Sequence, residues 1–268
     1  MPVLQALVLG AVQGLTEFVP ISSSGHLVLV PEALGWDAPG LSFDVLLHVA
    51  SLIALLVYFS GDLVDLARGT MAGDAGARRL VGLLALATVP AVIAGVALGD
   101  YFEGTFEDAE AAAVQLVITA AILVAAEQAL AFHERRRAET GRRLRTMEDL
   151  DVGDAALIGV AQAVSILPGI SRSGSTIAAG LARGTRREDA ARFAFLLAIP
   201  ALFGAALVEV PDLDGSSLGA GAALAGFVAS LVTSYAAIAI LIKYLKTRSL
   251  YPFAAYCVVA GILFYVVV

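Results

Sequence analysis

The sequence predicts an all-α, polytopic membrane protein with six spanning helices, two re-entrant helical hairpins and an inverted-topology repeat. Three observations support this prediction: the composition, the length of the apolar runs and a duplicated segment. Of the 268 residues, 59% are hydrophobic and only 15% are charged, and the mean hydropathy is +0.86. Water-soluble domains are typically about 45–50% apolar and about 25% charged. The net charge of −7 also argues against a nucleic-acid partner, because phosphate backbones attract basic surfaces.

Six apolar stretches have the length of a membrane-spanning helix, which needs about 20 residues. They are residues 41–60, 80–99, 110–132, 192–210, 218–242 and 252–268. Lysine and arginine set their orientation, because these residues collect in cytoplasmic loops. Sixteen of the 17 basic residues fall in four segments that lie on one side in this arrangement, at 61–79, 133–151, 183–192 and 243–251. The loops 100–109 and 211–217 contain acidic and no basic residues, so they are predicted to lie outside.

Two further apolar stretches, 3–35 and 153–183, are interrupted in their middle by clusters of Ser, Gly and Pro. Each half is too short to span comfortably, and each stretch starts and ends on one side of the membrane in the orientation above. We therefore interpret them as re-entrant hairpins that enter from opposite sides and turn near the midplane. Irregular backbone at that depth must be buried in protein or line a polar cavity, so a cavity is expected there.

An internal repeat links the two interrupted stretches. Shifted by 149 residues, GAVQGLTEFVPISSSG at 10–25 aligns with GVAQAVSILPGISRSG at 159–174, with six identities that include Ser-x-Ser-Gly. The following spans run in opposite directions, which indicates an inverted repeat whose site lies where the broken helices meet. The predicted organisation is a single membrane domain, with repeat 1 at about 1–132, a cytoplasmic linker at 133–152 and repeat 2 at about 153–268.

Ionisable residues inside such stretches are costly and usually functional. Arg172 is the single basic residue outside the four basic segments, and it lies in a Gly/Ser turn that suits a phosphate group. Glu17 lies in the first interrupted stretch, with Gln13 one turn earlier on the same helix face. His26 follows the serines at 22–24, and a His near a Ser supplies a base or is itself a nucleophile toward phosphorus. The structural alternatives are an Arg172–Glu17 ion pair, a helix cap by one of the serines and a His that only packs.

The second turn offers an anion backbone N–H groups, the positive end of a helix and several hydroxyl groups. The residues that supply them are Ser171, Ser173, Gly174, Ser175 and Thr176. His48 and Glu127 are weaker candidates, the first as a supporting residue of the site and the second as an interfacial residue.

QGLTEFVPISSSGH at 13–26 and LPGISRSGST at 167–176 resemble the two signature segments of the undecaprenyl-diphosphate phosphatase family, the bacitracin resistance proteins. The similarity extends over the apolar layout from end to end. It implies hydrolysis of a C55 polyprenyl diphosphate to the monophosphate lipid carrier of cell-envelope glycan synthesis. It also implies a prokaryotic plasma membrane, contact with membrane lipids and an active site open to the outer face. A transporter or flippase of polyprenyl phosphate or another anion is the alternative, because inverted repeats are common in transporters.

The resemblance and the turns together give two sets of site residues. The expected catalytic residues are Glu17, Ser23, His26 and Arg172. The residues expected to bind substrate are Gln13, Ser22, Ser24, Ser171, Ser173, Gly174 and Thr176. Ser23 is the favoured nucleophile with His26 as its base, and attack by His26 itself fits the sequence equally well.

The resemblance also implies a divalent cation, Mg²⁺ or Ca²⁺, which we expect at Glu17 and Gln13. Gln13 stands where the family pattern has a first Glu, so it offers an oxygen ligand but no charge. Small residues in every span allow close packing between helices of two copies, so a homodimer is left open.

Overall fold

The computed structural model describes residues 1–38, 40–98, 108–141, 143–209 and 219–267, and these residues are largely helical. They form eleven α-helices and one short 3₁₀ helix, with no β-strand among them. The prediction of an all-α fold is therefore confirmed. The helices are α1 (Val3–Phe18), α2 (Ser23–Leu34), α3 (Leu41–Tyr58), α4 (Ser60–Ala72), α5 (Ala75–Ala97), α6 (Ala109–Thr140), α7 (Val152–Val164), α8 (Arg172–Ala182), α9 (Arg187–Glu209), α10 (Ala220–Leu245) and α11 (Tyr251–Val267), with the 3₁₀ helix at Met147–Asp149.

Five of the described helices are long and apolar enough to cross a membrane, namely α3, α5, α6, α9 and α10. The prediction of a polytopic membrane protein is confirmed at this level. The sixth predicted span, 252–268, corresponds to α11, an apolar helix of 17 residues that is one residue shorter than α3. The predicted outer loops at 100–109 and 211–217 lie almost wholly outside the described residues.

The segment 61–79, interpreted above as a loop, is helical instead. Helix α4 follows α3 directly, and α5 begins after a two-residue turn at Gly73 and Asp74. Gly73 ends α4 in the left-handed conformation, with φ at 86°, and the Asp74 side chain accepts a hydrogen bond from the N–H of Ala77 at 2.7 Å. Helix α4 has no buried residue. An interpretation based on long apolar runs therefore had no signal for it.

Each of the two interrupted stretches is a pair of short helices joined by a turn. Helices α1 and α2 contain 16 and 12 residues, and α7 and α8 contain 13 and 11. The Ser22 side chain caps α2 by accepting from the N–H of Gly25 at 3.3 Å, and Ser171 caps α8 by accepting from Gly174 at 3.0 Å. The 149-residue shift aligns Ser22 with Ser171 and Gly25 with Gly174. Both halves of the repeat therefore contain the same helix cap. The expectation that one of the serines at 22–24 caps a helix is confirmed.

Small residues bring α1 and α7 against helices from the other half of the chain. A Cβ atom on Gly10 of α1 would overlap the backbone of Gly226 in α10, and Gly14 is equally close to that helix. In α7, a Cβ atom on Gly159 would lie 3.0 Å from the Cα of Ala87 in α5. Gly159 aligns with Gly10 in the repeat. Equivalent helices of the two halves, α1 and α7, therefore each pack against a helix of the opposite half. Small residues at such positions let membrane helices approach closely.

Ion pairs hold the helix ends on the side that carries the basic segments. Asp154, fully buried at the start of α7, accepts from Arg145 at 2.9 and 2.5 Å and from Arg183 at 2.5 Å. Glu127 of α6 is also buried, and it accepts from Arg187 and from a backbone N–H just before α11. Glu127 therefore connects three parts of the chain. Buried carboxylates need partners of this kind because an unpaired charge is costly to bury.

We expect Gly10→Ala to destabilise the fold, because the added methyl group overlaps the Gly226 backbone. Overpacking of this kind costs about 1–3 kcal/mol. Gly82→Ala in α5 is the matched control, since a Cβ atom there meets nothing within 4 Å. Thermal unfolding of the purified protein in detergent measures both variants. A Gly10→Ala protein that melts at the wild-type temperature would contradict the close α1–α10 contact.

Candidate active site

The two turns that interrupt the helices contact each other. The N–H of Gly169 donates to Ser22 Oγ at 3.2 Å, and Ser173 Oγ donates to the carbonyl of Val19 at 3.2 Å. Gly25 packs so closely that a Cβ atom there would lie 3.0 Å from the Cα of Gly169. The two turns therefore face each other, as the repeat alignment predicts. Residues far apart in the chain are brought to one place.

Glu17 lies at the centre of this place and connects four helices. Its side chain is only 3% exposed. Oε1 accepts from Arg172 Nη2 in an ion pair, and Oε2 accepts from Ser23 Oγ and from Gln13 Nε2, the latter at 3.1 Å. His48 of α3 faces the same carboxylate, with its Nε2 3.8 Å from Oε2. The carboxylate thus joins α1, α2, α3 and α8, and His48 has the supporting position expected of it.

Arg172 is the first residue of α8, and its guanidinium reaches Glu17. Its side chain is 24% exposed, which is more open than the carboxylate it meets. A guanidinium has five N–H donors, and Glu17 is its one ion-pair partner among the residues that the structure describes. The Arg172–Glu17 contact that was considered as a structural alternative is present. The remaining donors still suit bidentate binding of a phosphate group.

Helices α2 and α8 both begin at this place. The first N–H groups of a helix have no acceptor within that helix, and they carry the positive end of the helix dipole. The caps at Ser22 and Ser171 each engage one N–H of their helix. The other N–H groups at the two helix starts, together with Arg172, make a favourable environment for an anion such as phosphate.

Ser23 is the candidate nucleophile that the geometry supports best. It is the first residue of α2, it is 9% exposed, and its hydroxyl donates to Glu17 Oε2. A serine nucleophile requires an acceptor for its hydroxyl proton, and a carboxylate in hydrogen-bond contact can serve as that general base. Glu17 therefore occupies the position of the base.

His26 is held by two other groups. Its Nδ1 lies 2.7 Å from the carbonyl of Ser22, and its Nε2 lies 2.7 Å from the hydroxyl of Tyr256 in α11. A carbonyl only accepts, so Nδ1 carries the proton and Nε2 accepts from the Tyr256 hydroxyl. Both ring nitrogens are engaged away from Ser23. The base role of His26 stays a prediction, and the structure places Glu17 against the Ser23 hydroxyl instead.

The remaining residues expected to bind substrate lie around the two turns. Ser24 Oγ lies 3.3 Å from Ser22 Oγ, and Ser171 Oγ lies 3.1 Å from Ser173 Oγ. Thr176 donates to the carbonyl four residues earlier in its own helix at 2.8 Å. These hydroxyls are therefore in reach of the same place but are mostly bonded to one another or to backbone. Their contact with substrate stays a prediction.

Two side chains of the site were not predicted from the sequence. Thr119 of α6 donates to the carbonyl of Gly169 at 2.8 Å and accepts from the N–H of Ser171 at 3.0 Å. It therefore fixes the second turn from outside. Tyr256 holds His26 in the same way from α11. Both lie in apolar helices, and one hydroxyl group in such a helix does not indicate from the sequence which residue it contacts.

Gln13 and Glu17, the predicted metal ligands, are neighbours on α1. Gln13 Oε1 is buried without a hydrogen-bond partner, so this amide oxygen is available to a cation beside the carboxylate. Mg²⁺ is commonly held by one or two carboxylates, waters and substrate phosphates, and these two residues fit such a partial site. The described ranges contain no group of three or more His, Cys, Asp or Glu residues that would hold a metal without substrate.

We expect Arg172→Ala to destabilise the protein through Glu17, because it leaves a buried carboxylate without its cation. Breaking a buried pair costs about 3–5 kcal/mol, and the partial exposure of Arg172 shifts the expected loss to the lower end. The melting temperature should fall clearly in the wild-type background and much less in a Glu17→Gln background. Arg143→Ala, which breaks an exposed pair with Asp149, is the control and should cost under about 1 kcal/mol. Equal losses in the two backgrounds would contradict the pairing.

Comparison with known proteins agrees with the resemblance noted in the sequence. The family model of the bacitracin resistance protein BacA matches residues 6–263. A protein of Gloeobacter violaceus named Undecaprenyl-diphosphatase is 45% identical over 265 residues, which cover 95% of this chain and 88% of that relative. Proteins of the same name from Methanosphaera stadtmanae and Syntrophotalea carbinolica are 40% and 42% identical, and the matches cover 97% and 100% of this chain and 96% and 99% of theirs. The chain belongs to the bacitracin resistance protein family.

Proposed function

We propose that this protein hydrolyses undecaprenyl diphosphate to undecaprenyl phosphate and inorganic phosphate, and so recycles a lipid carrier for cell-envelope glycan synthesis. Its relatives from three organisms carry the name Undecaprenyl-diphosphatase. The observation that carries the proposal is the arrangement of Ser23, Glu17 and Arg172 between two helix starts. It combines a nucleophile, an acceptor for the nucleophile's proton and a cation for the phosphate.

In the first step, Ser23 Oγ attacks the terminal phosphorus and its proton passes to Glu17 Oε2. The Oγ–P bond forms, the bond from that phosphorus to the bridging oxygen breaks, and undecaprenyl phosphate leaves with the electron pair. In the second step, water attacks the phosphoserine, and Glu17 returns the proton to Ser23 Oγ as this oxygen leaves. Both protons of the water depart with the inorganic phosphate. This is covalent catalysis with one carboxylate as base and then acid.

Arg172 and the two helix starts supply the electrostatic part of the mechanism. Charge on the phosphoryl oxygens and the leaving oxygen must be stabilised in the transition state, and preorganised positive groups do this effectively in a site that excludes water. Arg172 comes from α8 and Ser23 from α2, so both repeats contribute. Glu17 and Gln13 would hold a divalent cation, which would neutralise the phosphoryl oxygens further.

His26 is the second candidate nucleophile. Its attack would give a phosphohistidine, and it would require Nε2 to release the Tyr256 hydroxyl that it now accepts from. Ser23 needs no such rearrangement, because its hydroxyl already donates to Glu17. This difference supports Ser23 over His26.

We also propose that the chain crosses a prokaryotic plasma membrane six times, with α11 as the sixth span. The pairs α1–α2 and α7–α8 are then re-entrant hairpins of an inverted repeat, in halves at about 1–132 and 153–268 joined by a cytoplasmic linker at 133–152. Support comes from the four short helices, the contact between their turns and the exchange of α1 and α7 between the halves. In this orientation the active site opens to the outer face. A homodimer stays a prediction.

Transport of polyprenyl phosphate or another anion is the less favoured function, because the relatives are named for a phosphatase. Purified protein in detergent separates the two, since transport needs a sealed membrane. We expect release of inorganic phosphate from undecaprenyl diphosphate, and a fall of about 10³-fold or more in Ser23→Ala. Rapid quenching with terminally labelled substrate should leave the label on Ser23. A label on His26 would overturn the Ser23 assignment, and a folded wild-type protein that releases no phosphate would contradict the phosphatase.

The divalent cation makes a separate prediction. Chelation should lower phosphate release by the wild type, and added Mg²⁺ or Ca²⁺ should restore it. Gln13→Glu should reach half-maximal release at a lower cation concentration, because the second carboxylate adds charge to the ligand set. A cation-dependent rise in melting temperature is a second readout that does not depend on turnover. If neither protein responds to the chelator in either measurement, the cation has no part in this site.

A further inference from the structure

An apolar groove of about 290 Å³ runs between α11 and the end of α2. Its α11 wall consists of every third or fourth residue from Tyr256 to Val267, which places these side chains on one face of the helix. Ala33 of α2 forms the opposite wall. Apart from the Tyr256 hydroxyl, these lining side chains are apolar.

The groove lies beside the active site, because two of its lining rings also contact His26. Tyr256 donates to His26 Nε2 at 2.7 Å, and the two rings are nearly parallel, with 13° between the planes and 5.7 Å between the centroids. Phe264 meets the same imidazole edge-on, at 87° and 6.2 Å. His26 lies in the first turn of α2, three residues after Ser23. Through His26 the groove thus adjoins the place where we propose that the diphosphate binds.

The shape of the groove suits a chain that lies along the helix. Val259 and Leu263 are 57% and 60% exposed, whereas Ala260 between them is only 7% exposed. Large side chains therefore form a rim, and a small one forms the floor. Ligand sites commonly combine such an apolar wall with a few polar groups that fix one end of the ligand. A prenyl diphosphate has the matching division, with a charged head at one end of a branched apolar chain.

We propose that this groove binds the first isoprene units of the lipid substrate while its diphosphate occupies the site at Ser23 and Arg172. This proposal rests on the proposed function. Tyr256 marks the boundary between the two parts, because its hydroxyl bonds His26 and its ring lines the groove. The groove then determines which chains are accepted, and the polar residues carry out the reaction. The acyl chain of a bilayer phospholipid is the competing occupant.

Leu263→Trp fills the groove, and Ile262→Trp is its matched control. The two residues are neighbours on α11 and are 60% and 56% exposed, but Leu263 lines the groove and Ile262 does not. Phosphate release is measured in detergent with undecaprenyl, farnesyl and isopentenyl diphosphate, which carry the same diphosphate on chains of eleven, three and one isoprene units. In Leu263→Trp we expect KM to rise about tenfold or more for the two longer substrates. The KM for isopentenyl diphosphate, the kcat values and all constants of Ile262→Trp should stay near the wild-type values.

Wild-type constants in Leu263→Trp would overturn the groove proposal, and so would an equal rise in KM in Ile262→Trp. If added phospholipid raises the melting temperature of the wild type but not of Leu263→Trp, with unchanged KM values, the groove binds a bilayer lipid instead. Failure of the wild type to hydrolyse any of the three substrates would instead overturn the proposed function, and this proposal with it. If Leu263→Trp does not fold, Leu263→Phe with Ile262→Phe as its control makes the same comparison.

Discussion

Glu17 and Arg172 are 155 residues apart in the sequence, and each lies beside a break in an apolar helical segment. Either charge alone in these surroundings would be costly. Paired, they bring the turn after α1 against the turn before α8, and with the turns come two helix starts that point their N–H groups to one place. The requirement to compensate a buried charge and the requirement to build an anion site are met by the same contact. This is why the fold of the two turns and the chemistry of the site are inseparable here.

The hydroxyl groups around this ion pair have different tasks. Ser22 and Ser171 cap helices, and Thr119 fixes the second turn. Ser23 differs from them because its hydroxyl bonds a carboxylate rather than backbone. Three consecutive serines in the sequence are therefore chemically distinct, and the distinction arises from their positions relative to the start of α2. Ser22, at the N-cap, accepts a hydrogen bond from an N–H group at the start of α2, and Ser23, the next residue, donates to Glu17.

The class of fold and the location of the site were predictable because they depend on strong signals along the chain. Hydropathy identified the apolar helices, and the 149-residue repeat identified both turns and the residues on them. The segment 61–79 was misinterpreted because α4 is a short helix of 13 residues with no buried residue, and it therefore contains no apolar run long enough to span a membrane. The partner of His26 was not predictable either. Tyr256 lies 230 residues away, and proximity in sequence suggested Ser23, whereas tertiary packing decided the direction of the ring.

The exchange of equivalent helices between the two halves has a consequence for biosynthesis. Helix α1 packs on α10 through Gly10 and Gly226. Since α1 is synthesised first and α10 much later, α1 cannot make this contact until most of the chain has been translated. Until α8 and α10 have left the ribosome and entered the bilayer, α1 carries Glu17 without its guanidinium and a small-residue face without its neighbour. Contacts between distant segments form slowly because a long loop must close first. Translation arrested before α10 would therefore leave an inserted fragment that is a target for membrane quality control.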